Sequence, residues 1–286
     1  MPYVRVNGVD HYYEWITDQT TSSATQKPVM VFIHGWAGSS RYWRTTAVAI
    51  ASKFDCLLYD MRGFGRSQLA SDNRKATLAR GYELDTFADD LSALLDTLNI
   101  QTVWVNAHSM GASVAVFFLN RYGARVKQAI LTCNGIFEYD KRAFEAFYRF
   151  GRYVVMFRPM WLGQIPLVPR FFMARFLHRS IPSSERQDFL QDFLEADFDM
   201  ALGTIYTSVS KRATEIMPKE FAQLSVPTLL VSGQYDKITP AELGMQAAAL
   251  NAETIKYVEI KKTGHFPMLE DPETYLTQLN SFLAFP

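Results

Sequence analysis

A serine, an aspartate and a histidine, in that chain order, are the residues whose types and settings suit nucleophilic chemistry. Ser109 lies in NAHSMG (106–111), where an apolar run gives way to a glycine-containing segment. A hydroxyl is a weak nucleophile at neutral pH, so it needs a base to take its proton and a third group to orient that base. His265, in KKTGHFPMLEDPE, is the candidate base, and Asp236, in VSGQYDKITP, the candidate orienting acid. Attack on a carbonyl also needs donors for the developing oxyanion. The backbone N–H groups of Met110, at a helix start, and of Trp36, in HGWAGSS (34–40), are placed for this. A serine between strand and helix sits on a tight turn whose neighbours two before and two after must be small. Ala107 and Gly111 both satisfy that requirement, although Ala107 stands where a glycine is usual.

These residues must be held by strands ending at one edge. YVRV and HYYEWIT alternate as a hairpin would, with Asn7-Gly8 as its turn. VMVFIH (29–34), CLLYD (56–60), VWVNA (103–107), VKQAILTCN (126–134), PTLLVSG (227–233) and TIKYVEI (254–260) are apolar runs suited to strands buried on both faces. Helices are expected between them: one capped by Ser39 or Ser40, one from Asp85 or Thr86, one from Met110 to about Tyr122, one capped by Thr239, and one from about Pro272. Alternating strands and helices imply a mostly parallel, doubly wound α/β sheet of about eight strands. The alternation stops near Gly135 and resumes near Leu224. Residues 1–135 and 225–286 are therefore expected to form one core, with 136–224 a mainly helical insertion.

Composition excludes several function classes. The 286 residues carry 29 basic and 29 acidic side chains, and a net charge of zero does not suit a nucleic-acid binder. Cys56 and Cys133, the two cysteines, lie in apolar runs, which points to a reducing, cytoplasmic setting. No signal peptide is expected from MPYVRVNGVD, and no apolar run is long enough to span a membrane. GFGRS lacks the third glycine of a nucleotide-binding turn, and no HExxH or CxxC spacing occurs. No cofactor or metal is expected. Asp60, Arg62 and Ser67 read as stabilising their own loop, and His34 as holding the HGW loop. His11, His108 and His178 show no catalytic spacing.

The chain resembles the α/β-hydrolase family along nearly its whole length. The resemblance is carried in family order by HGWAGSS (34–40), DMRGFGRS (60–67), AHSMG (107–111), GQYDKITP (233–240) and GHFPMLEDP (264–272). Ala107 departs from the G-x-S-x-G pattern, but one group of small bacterial lipases has the same A-H-S-M-G elbow. The family's alternative acid position falls on Asn134, which cannot be an anion. The resemblance implies a Ser109–His265–Asp236 triad hydrolysing a carboxylic ester, or a related acyl bond, of a small hydrophobic substrate. A thioesterase, an acyl-homoserine lactonase, a carbon–carbon hydrolase and a perhydrolase share this triad, and some receptors share the fold.

The resemblance also makes the insertion a cap over the site. Between Lys141 and Arg179 it has eight basic residues against Glu145 alone, interleaved with aromatics; from Glu185 to Asp199 six acids accompany only Arg186. The aromatics can pack the cap on the core or line an acyl pocket, with Phe144, Phe147 and Trp161 as candidates. A third use is peripheral contact with an anionic membrane.

Overall fold

Asn7 and Gly8 both take positive φ, 51° and 85°, as a two-residue hairpin turn requires. They join β1 (Tyr3–Val6) to β2 (Val9–Ile16) in an antiparallel pair, Val6 opposite Val9. The computed structural model describes residues 3–18, 27–137 and 141–283, and for residues 143, 144, 146, 147 and 150 the backbone alone.

The expected apolar runs form β3 (Val29–Ile33), β4 (Asp55–Tyr59), β5 (Val103–His108), β6 (Val126–Thr132), β7 (Thr228–Gly233) and β8 (Ile255–Ile260). The eight strands lie in the order β1-β2-β4-β3-β5-β6-β7-β8, parallel from β4 to β8. Side chains alternate across a strand, so each run feeds two cores. Val31, Ile33, Val105 and Leu131 join the α3 and α4 side, whereas Met30, Phe32, Ile130 and Leu229 join the opposite side, where Trp43 and Tyr275 lie.

The helices of the first half are α1 (Arg44–Ile50), α2 (Arg74–Ala79), α3 (Leu84–Thr97) and α4 (Met110–Tyr122). Ser39 caps a 3₁₀ turn (Ser40–Trp43) that leads into α1. The sequence pattern misses α2, and it starts α3 late. The Thr86 hydroxyl donates to Glu83 O and accepts from Arg62, so it does not cap the helix, which begins one turn boundary earlier at Leu84.

Between β6 and β7 the described residues hold no strand. They form α5 (Lys141–Met156), a 3₁₀ turn (Met160–Gln164), α6 (Val168–Met173), α7 (Ser183–Glu195), α8 (Phe198–Ser208) and α9 (Lys211–Ala222). Because β6 and β7 are neighbours, the chain leaves and re-enters the sheet at one place. The remaining helices are α10 (Ala241–Ala249), α11 (Pro267–Glu270) and α12 (Pro272–Phe282). α10 is preceded by Pro240 at the cap position, not Thr239, whose N–H donates to Asp236. Among the described residues no helix is long and apolar enough to cross a membrane.

Candidate active site

β5 ends at His108 and α4 begins at Met110, leaving Ser109 alone on the turn with φ 53° and ψ −124°. A non-glycine residue there is strained and persists only where its surroundings hold it. They do so at both backbone ends: Ser109 N–H donates to Thr132 O at 2.9 Å, and Ser109 O accepts from the Asn134 side-chain amide at 3.0 Å. Asn134, dismissed as an acid, thus braces the elbow. A Cβ on Gly111 would lie 2.2 Å from His34 O, so helix and strand cross too closely for any side chain there. Ala107 is fully buried opposite Ile33 and Leu131. Ala107→Gly is therefore expected to retain activity. Ala107→Val should cost about 1–3 kcal/mol through overpacking and lower both the melting temperature and kcat. A valine variant as stable and active as the wild type would contradict this.

Asp236 follows β7, and its side chain is fully buried. Oδ1 accepts from Ile238 N–H at 2.8 Å and Thr239 N–H at 3.0 Å, while Oδ2 accepts from His265 Nδ1 at 2.7 Å. With that nitrogen carrying the proton, His265 Nε2 has a free lone pair, and it lies 2.9 Å from Ser109 Oγ. The His265 loop is gripped by a residue the sequence reading missed. Glu270 Oε1 accepts from Gly264 and Phe266 N–H, and Oε2 from His178 and Arg179 N–H. His265 N–H also donates to Phe176 O at 2.7 Å, which ties the loop to the segment after α6.

The HGW loop is held by three neutral rings. His34 Nε2 accepts from Met61 N–H, so its Nδ1–H donates to Gly35 O at 2.8 Å. Burial lowers its pKa, keeping it neutral. The Gly35 N–H donates to the Tyr42 oxygen at 2.6 Å, and the Tyr42 O–H donates to His108 Nδ1 at 3.0 Å. His108 Nε2–H then donates to His265 O at 2.7 Å, because a carbonyl can only accept. Burial, then the neighbouring His265, hold His108 well below the usual histidine range; burial raises Tyr42 well above the usual tyrosine range. This chain of neutral groups links the loop bearing Trp36 to the loop bearing His265. Sequence spacing gave no sign of it, although strand alternation turns His108 away from the face occupied by Ala107. From α7, Asp192 accepts from Ser39 Oγ at 2.6 Å and pairs with Arg41 at 3.0 Å, fastening the far side of the same loop. Asp60 accepts from Ser40 and Arg66 N–H, and Ser67 from its own loop donates to Asp60 O, whereas Arg62 reaches out to Gly81, Thr86 and Asp90.

Ser109 opens into a cavity of about 100 Å³. Trp36 and Gly35 form one wall; Phe172, Phe176, Phe189 and Phe193, from α6, α7 and the turn between them, form the other. Met110 is buried at the first position of α4, where a backbone N–H has no partner within the helix. Among the described residues neither that N–H nor that of Trp36 donates elsewhere. Among the described residues no lysine, arginine, aspartate or glutamate lines the cavity. Trp161 does not line it and is 55% exposed; the side chains of Phe144 and Phe147 lie outside the described residues. Nitrogens of His108 and His265 and the Cys133 sulfur fall within 4.8 Å of one another. Both rings already spend their nitrogens on hydrogen bonds, and burial keeps the Cys133 thiol protonated, so the cluster offers a cation no ready lone pairs.

A sequence model described as the alpha/beta hydrolase fold matches residues 28–272. The chain belongs to the α/β-hydrolase family. The AB hydrolase superfamily protein YisY of Bacillus subtilis is 25% identical over 257 residues, which are 89% of this chain and 90% of that one. The enol-lactonase from Burkholderia xenovorans LB400 superposes with a TM-score of 0.78 at 19% identity, covering 99% of this chain and 100% of the other. An esterase from Exiguobacterium antarcticum gives 0.78 at 19% identity over 98% of each chain. At such identities the two structures speak for the fold. The eight-stranded, mostly parallel sheet with flanking helices is that of the α/β-hydrolase fold.

Proposed function

We propose that the chain is a serine hydrolase cleaving a short, uncharged, apolar carboxylic ester through an acyl-enzyme. The observation that carries this reading is the unbroken line from Asp236 through His265 to Ser109 Oγ, at 2.7 and 2.9 Å, on the floor of an aromatic cavity. Ser109 attacks the ester carbonyl carbon as His265 Nε2 takes the hydroxyl proton, and Asp236 steadies the imidazolium. The N–H groups of Trp36 and Met110 receive the oxyanion. Collapse expels the alkoxide, which takes the proton from His265. Water, deprotonated by the same nitrogen, then attacks the acyl-Ser109 ester, and the acid leaves with Ser109 restored. The helices between β6 and β7 act as a cap supplying the acyl pocket through Phe172, Phe176, Phe189 and Phe193, while Trp161 stands outside it.

Cavity size sets the substrate. An apolar cavity of roughly 150 Å³ accommodates benzene, so about 100 Å³ suits an acyl chain of about two to four carbons. The apolar lining that the described residues supply disfavours a carboxylate or ammonium near the acyl group. A chain-length series of p-nitrophenyl esters tests this. Hydrolysis of acetate to butyrate is expected to exceed that of dodecanoate by at least about tenfold in kcat/KM, since each methylene without a pocket forgoes its burial. A preference for long chains would overturn the acyl-pocket reading. No turnover of any ester by folded protein would overturn the esterase reading and favour carbon–carbon cleavage on the same residues.

A further inference from the structure

We propose that the outer face of the α5–α6 segment is a docking surface for an anionic phospholipid bilayer. Eight of the seventeen exposed large apolar side chains described lie between residues 153 and 171. Tyr153, Phe157, Trp161, Leu167 and Phe171 among them are 55–78% exposed. Single exposed apolar residues are ordinary, but such a concentration marks an interaction site. On α5, Arg149, Arg152, Tyr153 and Met156 are all exposed and recur at spacings of three and four, so they share one face; Gly151 and Val155, on the other face, are buried.

Charge selects the occupant. Residues 146–184 hold six arginines and no acid. Arg149, Arg152, Arg170 and Arg175 are exposed and have no ion-pair partner among the described residues. Of the acidic run that follows, Asp192 is committed to Arg41 and Asp197 and Asp199 to Arg74, and Glu185, Asp188 and Glu195 make no ion pair with these four arginines among the described residues. Next to exposed Phe171, a wide groove of about 480 Å³ is lined by Arg170, His178, Arg186 and Arg179, the last of these paired with Asp271, which leaves Arg170 and Arg186 as its cations without an ion pair among the described residues. Guanidinium groups in such a groove suit phosphodiester headgroups, while the aromatic side chains beside it suit the apolar boundary beneath them. α6 joins this face to the catalytic cavity, since Phe172 and Met173 line the cavity while Phe171, one residue away, faces out. A docked molecule would therefore meet a bilayer-dissolved ester close to its acyl pocket.

Vesicle flotation tests the proposal on the full chain and goes beyond the hydrolase reading, because Ser109→Ala is expected to float as well as wild type. Vesicles of phosphatidylcholine with about a third phosphatidylglycerol are expected to carry the protein at low salt, pure phosphatidylcholine is not, and about 1 M salt should release it. Changing Arg149, Arg152, Arg170 and Arg175 together to Gln should weaken binding by roughly several hundredfold, at about fivefold per basic residue. Phe157, Trp161 and Phe171 changed together to Ser should abolish it at unchanged charge. Both variants should hydrolyse a soluble ester at the wild-type rate, which shows that they are folded. Failure of the wild type to float, equal flotation with neutral vesicles, or flotation untouched by both variants would overturn the proposal. So would binding of inorganic phosphate without vesicles, or a wild-type dimer that the serine variant dissociates while vesicles are ignored.

Discussion

Ser109→Ala is expected to lower kcat for a soluble short-chain ester by about 10⁵, with KM and melting temperature nearly unchanged. Alanine keeps the Cβ, so the strained turn at φ 53° remains braced by Thr132 and Asn134, and only the nucleophile is lost. Among the described residues that line the cavity, the one other hydroxyl, on Tyr42, is spent between Gly35 and His108 and is held well above its usual pKa by burial. Covalent labelling by a fluorophosphonate should disappear with the same change. Activity then falls to what the oxyanion donors and substrate binding provide, on the order of 10³ over water. A variant that retains a tenth of wild-type activity, or still takes the label, would show that Ser109 is not the attacking group.

The parts of this site that could be read from sequence share one property: they lie where a periodic element ends. The continuous apolar runs fixed β3 through β8, and Ser109, Asp236 and His265 each follow one of those runs, so their meeting at one sheet edge follows from parallel topology. What escaped depends on contacts between distant residues without a periodic signature. Tyr42 and His108 are 66 residues apart, and Glu270 grips His178 from 92 positions away. The expected cavity aromatics, among them Trp161, come from a stretch in which aromatic and basic residues interleave. Amphipathicity shows that a helix has two faces, but not which face lies over the core. In the structure the turn at Met160–Gln164 leaves Trp161 exposed, while α6 and α7 bring Phe172, Phe189 and Phe193 to the cavity. Three of the six acids at 185–199 pair with distant arginines that no local pattern points to: Asp192 with Arg41, and Asp197 and Asp199 with Arg74, more than 120 residues away.

Asp236→Asn is expected to lower kcat by about 10⁴, roughly 5.5 kcal/mol of transition-state stabilisation, without unfolding the protein. The magnitude is that of the equivalent change in a serine protease with the same triad; the reason lies in this chain's hydrogen bonds. Oδ1 accepts two backbone N–H groups, from Ile238 and Thr239, so the amide oxygen of an asparagine must occupy that place. Its NH₂ group is then forced into the place of Oδ2, facing His265 Nδ1. A donor there makes Nδ1 the acceptor and moves the ring proton to Nε2. His265 would then present a hydrogen to Ser109 Oγ, where the reaction needs a lone pair. The site would keep its shape in the wrong tautomer. Because base and nucleophile act as one unit, adding Asp236→Asn to Ser109→Ala should cost little more than Ser109→Ala alone. Steady-state kinetics of the two single variants and the double variant decide it: multiplicative losses, or an asparagine variant within tenfold of wild type, would mean that Asp236 does not set the proton's position on His265.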